Sequence, residues 1–359
     1  MKKIIIPITM FVLFVCPGPS EALAKYEDSI VLLTVTKKPV DISRPWQFEK
    51  VTQQEHLAAV VSNNLILTTA FAIGNTSMLE LRRLGNPLKY EAEVVFVDYE
   101  VNLALIKPLD KDFYKGLKPL KLGNDINIGS KVSIFRAKDS YQLTEMPGHL
   151  SEVGIYNVIT SSYSMLAYLI KVQQKGLGWA EPVIKGGQLV GITSGQDSNY
   201  IHAIPSGTIK HFLNDSHDNS YRGFPSIGIG LSPLVDPTAR KYYGVDGIKG
   251  GTRVSNVFAS SSLSDVLKKN DVIYEFNGKS LSEHGYYRHP LWGRVHMKYL
   301  LNKLYSGDAI SLKVYRNGKE VYLSGKVTRY NSNDYEISYN RYGKSDKSAL
   351  RALAAFTCL

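Results

Sequence analysis

The sequence predicts a mostly β protein, built as a pair of β-barrels followed by a smaller α+β domain. Short apolar strands separated by turns run from residue 30 to residue 192, with no long amphipathic helix between them. This spacing favours barrels over a fold that alternates strands with helices. A clear apolar helical repeat comes later, at Met297, Leu300, Leu301 and Leu304.

The first 24 residues have the layout of a cleavable secretory signal. Two lysines precede an apolar run over residues 4–15, and Ala22 and Ala24 precede a polar segment. The run is too short to span a membrane, and no later segment is long and apolar enough to do so. We therefore expect an exported mature chain, periplasmic or extracellular, that starts at residue 25 and has no transmembrane span.

The cysteine content, the net charge and the spacing of the histidines restrict the functions that we expect of the chain. Cys16 leaves with the signal, so Cys358 has no partner for an intramolecular disulfide in the mature chain. The formal net charge of +11 is scattered along the chain. This favours a solvated basic surface, with an anionic partner as the alternative, and no nucleic-acid motif accompanies it. The histidines at residues 284, 289 and 296 are too irregularly spaced for a metal site, so we predict neither metal nor cofactor.

The first domain is predicted to end near residue 215. Its strands are predicted over residues 30–35, 58–62, 65–69, 91–97, 103–107 and 131–135. A hairpin at Gly186-Gly187 leads into another apolar strand over residues 189–193. A short helix over residues 208–213 closes the domain, and the polar residues 216–221 are typical of a linker.

The second domain is predicted over residues 216–330. A loop enters a strand within residues 224–231, and further strands cover residues 251–257 and 271–276. A helix is predicted around residues 295–304. A hairpin of residues 310–316 and 320–327, turning at Asn317-Gly318, completes the domain.

Motifs in a shared order carry a family resemblance. Residues 65–70 read L-I-L-T-T-A, residues 204–213 read I-P-S-G-T-I-K-H-F-L, and residues 267–273 read L-K-K-N-D-V-I. Together with the loop and hairpin around Pro182, they resemble the HtrA/Deg-type family, in particular its plant-type Deg branch. The resemblance implies a chymotrypsin-like (pseudo)protease domain over residues 25–215 and a PDZ domain over residues 216–330. Residues 331–359 resemble the start of a truncated second PDZ domain.

The same resemblance assigns the catalytic triad to substituted positions. Phe71 stands where the family has histidine, Asn102 where it has aspartate, and Trp179 where it has serine. Phenylalanine cannot accept a proton, asparagine has no charge to stabilise an imidazolium, and indole cannot attack a carbonyl. We expect the two aromatic rings to fill the emptied cleft, with an apolar floor for a bound peptide as the alternative.

The oxyanion loop is altered as well. Its changed or flanking residues are Leu177, Gly178, Ala180 and Glu181. The family has glycines at the last two positions, and a side chain there opposes a positive φ. We expect this loop to follow another path. On the family's path, Glu181 would put a carboxylate where the oxyanion forms.

The PDZ resemblance implies a peptide-binding site in the second domain. PDZ domains add a peptide to a sheet edge and receive its C-terminal carboxylate on loop N–H groups. The corresponding residues are Arg222, Gly223, Phe224, Pro225, Ser226, Ile227, Gly228 and Ile229. The helix around residues 295–304 would form the opposite wall. The alternative is a PDZ fold that only packs against the first domain.

Three functions follow from these observations. The first is an exported, catalytically inactive pseudoprotease that binds proteins or peptides. The second is an active serine-type endopeptidase of periplasmic protein quality control that uses displaced catalytic groups. The third is a structural subunit in a mixed oligomer. The expected partners are peptide or protein C-termini, active Deg-type relatives and a second copy of the chain.

Overall fold

A computed structural model describes residues 26–329, except for residues 42, 45, 62–64, 138–141, 162, 174–178, 217–220 and 260. The predicted signal segment 1–24, the tail 331–359, and Leu177 with Gly178 lie outside the described residues, as does most of the predicted linker. Within the described part, no helix combines the length and the apolar character needed to cross a bilayer.

The first six strands close into a barrel in the order β1-β2-β3-β6-β5-β4. They are β1 (Ile30–Lys37), β2 (Thr52–Val61), β3 (Leu65–Thr68), β4 (Thr76–Arg83), β5 (Lys89–Asp98) and β6 (Leu103–Pro108). The sequence prediction missed β4, because its buried Leu79 and Leu81 lie in a polar, charged segment. Helix α1 (Ala70–Ile73) follows β3, and a short 3-10 helix (Lys111–Tyr114) follows β6.

The next six strands close a second barrel in the order β10-β11-β12-β9-β8-β7. They are β7 (Lys131–Ala137), β8 (Leu143–Asn157), β9 (Ser164–Val172), β10 (Trp179–Lys185), β11 (Gln188–Gln196) and β12 (Ile201–Pro205). The hairpin predicted at Gly186-Gly187 is present, with φ values of +57° and +80°. Two left-handed residues give the turn whose twist matches the paired strands. Helix α2 (Ser206–Asp215) closes this barrel.

The C-terminal domain is an α+β unit. Its main sheet has the order β13-β14-β15-β19-β20, with β16 paired to β15, and β17 and β18 form a separate hairpin. The strands are β13 (Ile229–Ser232), β14 (Thr252–Val257), β15 (Val272–Phe276), β16 (Lys279–Ser280), β17 (Tyr286–His289), β18 (Gly293–His296), β19 (Ala309–Arg316) and β20 (Lys319–Lys326). The helices are α3 (Pro237–Tyr242) and α4 (Lys298–Asn302). Strand β13 thus lies at one edge of the sheet and β20 at the other.

The helix predicted around residues 295–304 is shorter than expected. Val295 lies in β18, where it pairs with Tyr287, and α4 spans only Lys298–Asn302. The β-branched side chain of Val295 suits a strand. Met297 and Leu301 of the apolar repeat are both buried, as the repeat predicts. The N-terminal part of the segment, however, pairs as strand β18 of the hairpin instead of forming helix.

The two faces of β1 pack into two different cores. Val31 and Leu33 point into the first barrel, whereas Ile30 and Leu32 pack between the barrels. This alternation follows from the period of two in a strand. The inter-barrel core continues through Phe212 of α2. A strand buried on both faces therefore joins the two barrels tightly.

The second barrel and the C-terminal domain share one continuous apolar core. Polar contacts cross the same boundary. Trp292 Nε1 donates to the carbonyl of Ile126 at 2.8 Å. The Asp125 carboxylate accepts from the hydroxyls of Tyr168 at 3.1 Å and Tyr299 at 3.3 Å. A further pairing joins Arg329 to Glu100, with 3.0 Å between nitrogen and oxygen.

Candidate functional site

The three positions assigned to the triad come together in the cleft between the barrels. Phe71 lies in α1 and Trp179 begins β10, and their rings stack with centroids 4.3 Å apart and planes inclined by 23°. Asn102 precedes β6 and is 1% exposed, and its Oδ1 accepts from the backbone N–H of Phe71 at 2.8 Å. The expected contact between the aromatic rings is therefore present.

Local capping and turn chemistry hold these residues in place. The Thr69 hydroxyl caps α1 by accepting from the N–H of Ala72 at 3.3 Å, as threonine commonly does at a helix start. Asn102 has a φ of +58°, a left-handed geometry that asparagine tolerates better than most residues. The asparagine at this position therefore satisfies the turn and anchors Phe71 at the same time.

The indole of Trp179 covers the wall of the cleft. Trp179 pairs with Ser194 of β11, and a Cβ added to Gly195 would lie 3.5 Å from Trp179 Cη2. On the other side, Lys37 Nζ lies 5.5 Å from the Phe71 ring centroid and donates to the Phe71 carbonyl at 3.4 Å. Burial lowers the pKa of Lys37. The centre of the cleft therefore holds stacked rings with an ammonium at its edge.

The loop residues after Trp179 correct two expectations. Ala180 keeps a left-handed φ of +58° and is fully buried, so the backbone has retained at this residue the geometry that glycine would favour. A non-glycine residue in that region costs about 1–2 kcal/mol. The carboxylate of Glu181 turns to Arg136 on β7, with Oε1 2.6 Å from Nε and Oε2 3.2 Å from the terminal nitrogen. It is therefore bound to a guanidinium.

Glu181 is almost fully buried, and its environment perturbs its titration. Its backbone N–H donates to Thr193 Oγ1 at 2.8 Å, which fixes the start of β10 against β11. Burial raises the pKa of the Glu181 carboxyl to about 7, against the opposing effect of Arg136. A buried carboxylate of this kind depends on its guanidinium partner, since an unpaired buried charge is strongly unfavourable.

Three histidines were candidates to replace the missing base, and none of them is paired with a nucleophile in the described residues. His56 on β2 is largely buried, and burial together with nearby Lys37 lowers its pKa to about 4. His202 Nε2 lies 2.8 Å from Asp197 Oδ2. His211 is stacked between Phe224 and Tyr305, with centroid distances of 4.3 and 3.8 Å. In the described part of the chain, no hydrogen bond joins one of these rings to a hydroxyl, and no cluster suited to a metal ion occurs.

The loop assigned to peptide binding is partly occupied by groups of the chain itself. The N–H groups of Arg222 and Gly223 donate to Asp215 Oδ2 at 3.0 and 2.7 Å. The N–H of Ser226 donates to the Thr328 carbonyl at 3.0 Å, and that of Gly228 to Ser226 Oγ at 3.3 Å. An N–H that already has a strong acceptor offers little to a ligand.

The loop is also anchored to the barrels. Phe224 is buried in the inter-barrel core, and the Tyr163 hydroxyl donates to the Pro225 carbonyl at 2.6 Å. Sequence reasoning missed Tyr163, Asp215 and Arg136, the groups that fix the loop and the altered cleft. Their partners lie far away in the sequence or carry no motif, so no local signal could have found them.

Known proteins with similar sequences carry protease names. No protein-family model matches the chain. It is 25% identical over 306 residues to "Protease Do-like 2, chloroplastic" of Arabidopsis thaliana, covering 82% of this chain and 50% of that protein. It is 26% identical over 296 residues to "Putative protease Do-like 3, mitochondrial" of the same plant, covering 81% of this chain and 53% of that protein. The chain thus spans about half the length of these relatives.

Solved structures share the fold. HtrA-type protease AlgW with tripeptide superimposes with a TM-score of 0.66 at 18% identity, covering 88% of this chain and 99% of that chain. AlgW with decapeptide gives a TM-score of 0.62 at 18% identity, covering 86% of this chain and 97% of that chain. At this identity the likeness concerns the fold.

Two closed six-stranded barrels with a cleft between them define a chymotrypsin-like protease fold, here followed by an α+β domain. The relatives and the ordered motifs refine this class. By sequence the chain is similar to plant Do-like proteases, and its fold is similar to that of HtrA-type protease structures.

Proposed function

We propose that this protein is an exported, catalytically inactive member of its family that binds proteins or peptides through a PDZ-like C-terminal domain. One observation carries the proposal: Phe71 and Trp179, which the resemblance assigns to the positions of base and nucleophile, stack with ring centroids 4.3 Å apart. The signal-like layout of residues 1–24 supports export.

The chemistry of the cleft supports inactivity. Acyl transfer in this fold needs a nucleophilic oxygen, a ring nitrogen that accepts its proton and a carboxylate that orients the ring. The residues at the three positions are a phenylalanine, an asparagine and a tryptophan, and Asn102 is bound to the backbone of Phe71. The stacked rings also fill the volume that a scissile bond would need.

The C-terminal domain supports binding. Strand β13 lies at a sheet edge, directly after the loop of residues 222–228, which is the arrangement used for adding a peptide strand. Two solved structures of similar fold are AlgW with tripeptide and AlgW with decapeptide. Because Asp215 already holds the N–H groups of Arg222 and Gly223, and Ser226 Oγ accepts from that of Gly228, the N–H groups of Ile227 and Ile229 next to and within β13 are the better candidates for the carboxylate.

The catalytic half of the proposal is tested on the purified chain from residue 25. We expect no hydrolysis of unfolded casein and no labelling by a serine-directed fluorophosphonate, with an active HtrA-type protease as positive control. Casein cleavage that survives repurification, and that disappears on mutation of one serine in this chain, would overturn the proposal.

The binding half is tested on the same chain with a library of peptides with free C-termini. We expect binders that lose affinity when their C-terminal carboxylate is amidated. Indifference of every binder to amidation would contradict a PDZ-like mode. Co-purification from the exported compartment, with mass spectrometry, then asks whether the partners include active Deg-type relatives.

A further inference from the structure

An open groove lies beside the far end of β13. A cavity of about 690 Å³ has Leu231, Ser232 and Pro233 on one side and Tyr286 and Arg294 of the β17–β18 hairpin on the other. A second cavity, of about 300 Å³, shares Tyr286 and Arg294 and is closed by residues 153–155 of β8. We call these two cavities together the basic groove.

The charged side chains that line the basic groove are all positive. Arg294 and Lys298 are the permanently cationic side chains in its lining, which also includes His284 and His296 and contains no carboxylate. Arg294 lies with its guanidinium carbon 5.1 Å from the Tyr286 ring centroid. Lys298 Nζ donates to the neutral hydroxyl of Ser164 at 3.2 Å. Among the described residues, neither cation makes an ion pair within 4.0 Å.

Glu283, which precedes His284 of the lining, is an acidic neighbour of the groove in the sequence. Its Oε1 accepts from the N–H of Gly250 at 3.2 Å. Backbone hydrogen bonds, with smaller contributions from Arg240 and His284, lower the pKa of Glu283. Its carboxylate is held mainly by backbone N–H groups and does not line the groove.

Glu152, which precedes Val153 of the lining, is a second acidic neighbour. Its Oε1 accepts from the Tyr200 hydroxyl at 3.1 Å. It does not line the groove either.

The position of the groove relative to the loop fixes which part of a ligand it would meet. A peptide whose C-terminus lies at residues 227–229 must run antiparallel to β13, towards Pro233. Four residues of strand cover about 13 Å, so the groove faces the residues third to sixth from the peptide's C-terminus. The side chains of these residues would meet Arg294, and Lys298 lies in the adjoining cavity.

We propose that the basic groove selects peptides that are acidic just upstream of their C-terminus. The inference rests on the proposed binding function and names its ligand class. The edge of β13 supplies main-chain pairing for any sequence, whereas the two cations add a preference for carboxylate side chains. Tyr286 and Leu231 provide apolar contact area for the stems of the same residues.

The test compares two fluorescein-labelled decapeptides that end in valine. One has glutamate and the other glutamine at the third to sixth positions from the C-terminus, and each is made with a free and with an amidated terminus. Anisotropy titrations use the full chain from residue 25. We expect the free glutamate peptide to bind about tenfold more tightly than the free glutamine peptide, and the difference to shrink at about 0.5 M salt.

Matched variants locate the preference. Arg294→Gln should weaken binding of the glutamate peptide about three- to fivefold and leave the glutamine peptide unchanged, as expected for one exposed ion pair. Lys326→Gln removes the same charge from β20, at the opposite edge of the sheet, and should change neither. Equal losses in both variants would show attraction to the overall positive charge and would overturn the proposal.

The remaining outcomes separate the two proposals. If both free peptides bind equally and amidation abolishes both, the acidic preference fails while the PDZ-like function stands. If the glutamate peptide binds regardless of amidation and loses affinity in Arg294→Gln, the groove is supported and the C-terminal mode fails. If neither peptide, nor any other with a free C-terminus, binds, both proposals are overturned.

Discussion

Polar groups are paired differently in the two sites, the cleft between the two barrels and the basic groove. In the cleft, Asn102 is bound to the backbone of Phe71, and Glu181 is bound to Arg136. In the groove, Arg294 and Lys298 face solvent with no carboxylate partner within the described residues. The side-chain oxygens of Asn102 and Glu181 are thus bonded within the chain, whereas the two cations of the groove lack an acidic partner among the described residues.

Packing shows the same contrast. Stacked aromatic rings fill the cleft and gain contact area from each other, as aromatic pairs do at such distances. The groove instead keeps a tyrosine and an arginine at an open sheet edge, where a natural protein normally limits unpaired backbone groups. The cleft is thus packed by its own side chains, whereas the groove beside the edge strand β13 stays open.

The largest expected effect concerns proteolysis by a variant in which the three triad residues are restored. Efficient proteolysis by it would contradict the contrast between the cleft and the groove. We predict that Phe71→His, Asn102→Asp and Trp179→Ser together will not give efficient casein hydrolysis. We expect the Cβ of Ala180, held at a left-handed φ, and the pairing of Glu181 with Arg136 to leave the oxyanion donors without the precise aim that catalysis requires.

The comparison variant adds Ala180→Gly and Glu181→Gly to those three changes. We expect it to cleave casein at least about 100-fold faster, the scale of one oxyanion donor. Thermal melts establish that both variants are folded. Equal rates for the two variants would mean that the loop already has catalytic geometry.

The second prediction concerns the buried ion pair between Glu181 and Arg136. Glu181→Ala should lower the free energy of unfolding by about 3 kcal/mol, because it leaves Arg136 partly buried beside an apolar space. The double variant Arg136→Met with Glu181→Leu should recover most of that loss. Urea unfolding measures both, and a double variant as unstable as the single one would contradict the argument.

The third prediction concerns the effect of pH on stability through His211, which stacks on Phe224 of the loop assigned to peptide binding. Burial lowers the pKa of His211 to about 4, and the charges around it are Asp215, Arg222 and Asp308. Between pH 6.5 and pH 4 the unfolded chain binds a proton that the folded one excludes, so acid destabilises the fold. His211→Phe keeps an aromatic ring between Phe224 and Tyr305 and removes this linkage.

We therefore expect His211→Phe to gain about 1–2 kcal/mol relative to the unaltered protein when the pH falls from about 7.5 to about 5. Urea unfolding at the two pH values gives this difference directly. The same stability difference at both pH values would show that His211 is not held neutral by its surroundings.

The smallest expected effect concerns the packing between the two stacked rings of the cleft. Phe71→Ala and Trp179→Ala should each destabilise the fold, and the double variant should lose about 1 kcal/mol less than the sum of the two. The double-mutant cycle by urea unfolding measures this coupling. Strict additivity would mean that the rings do not support each other.

Local chemistry made much of the fold predictable. Gly186-Gly187 and Asn317-Gly318 are two-residue turns with positive φ, and each closes the hairpin expected of it. Ordered motifs assigned Phe71, Asn102 and Trp179 to the triad, and the structure brings these three residues into contact. Asn270 has a φ of +74°, a left-handed geometry that asparagine tolerates better than most residues.

Long-range partners were not predictable. Strand β8 contains Pro147 and two glycines, which argue against a strand, and only its neighbours β7 and β9 hold it in one. The pairing of Arg136 with Glu181 joins residues 45 positions apart. The scattered basic residues suggested a uniformly solvated surface, yet the fold brings Arg294 and Lys298 together beside β13.

The core shared by the second barrel and the C-terminal domain has a consequence for unfolding. Trp292 and Tyr299 belong to the C-terminal domain but are satisfied by Ile126 and Asp125, which precede β7. Melting either side would expose apolar surface and orphan buried polar groups on the other. The cooperative unit therefore crosses the domain boundary. Heating should melt these two parts in one transition, and limited proteolysis should not release the C-terminal domain as a stable fragment.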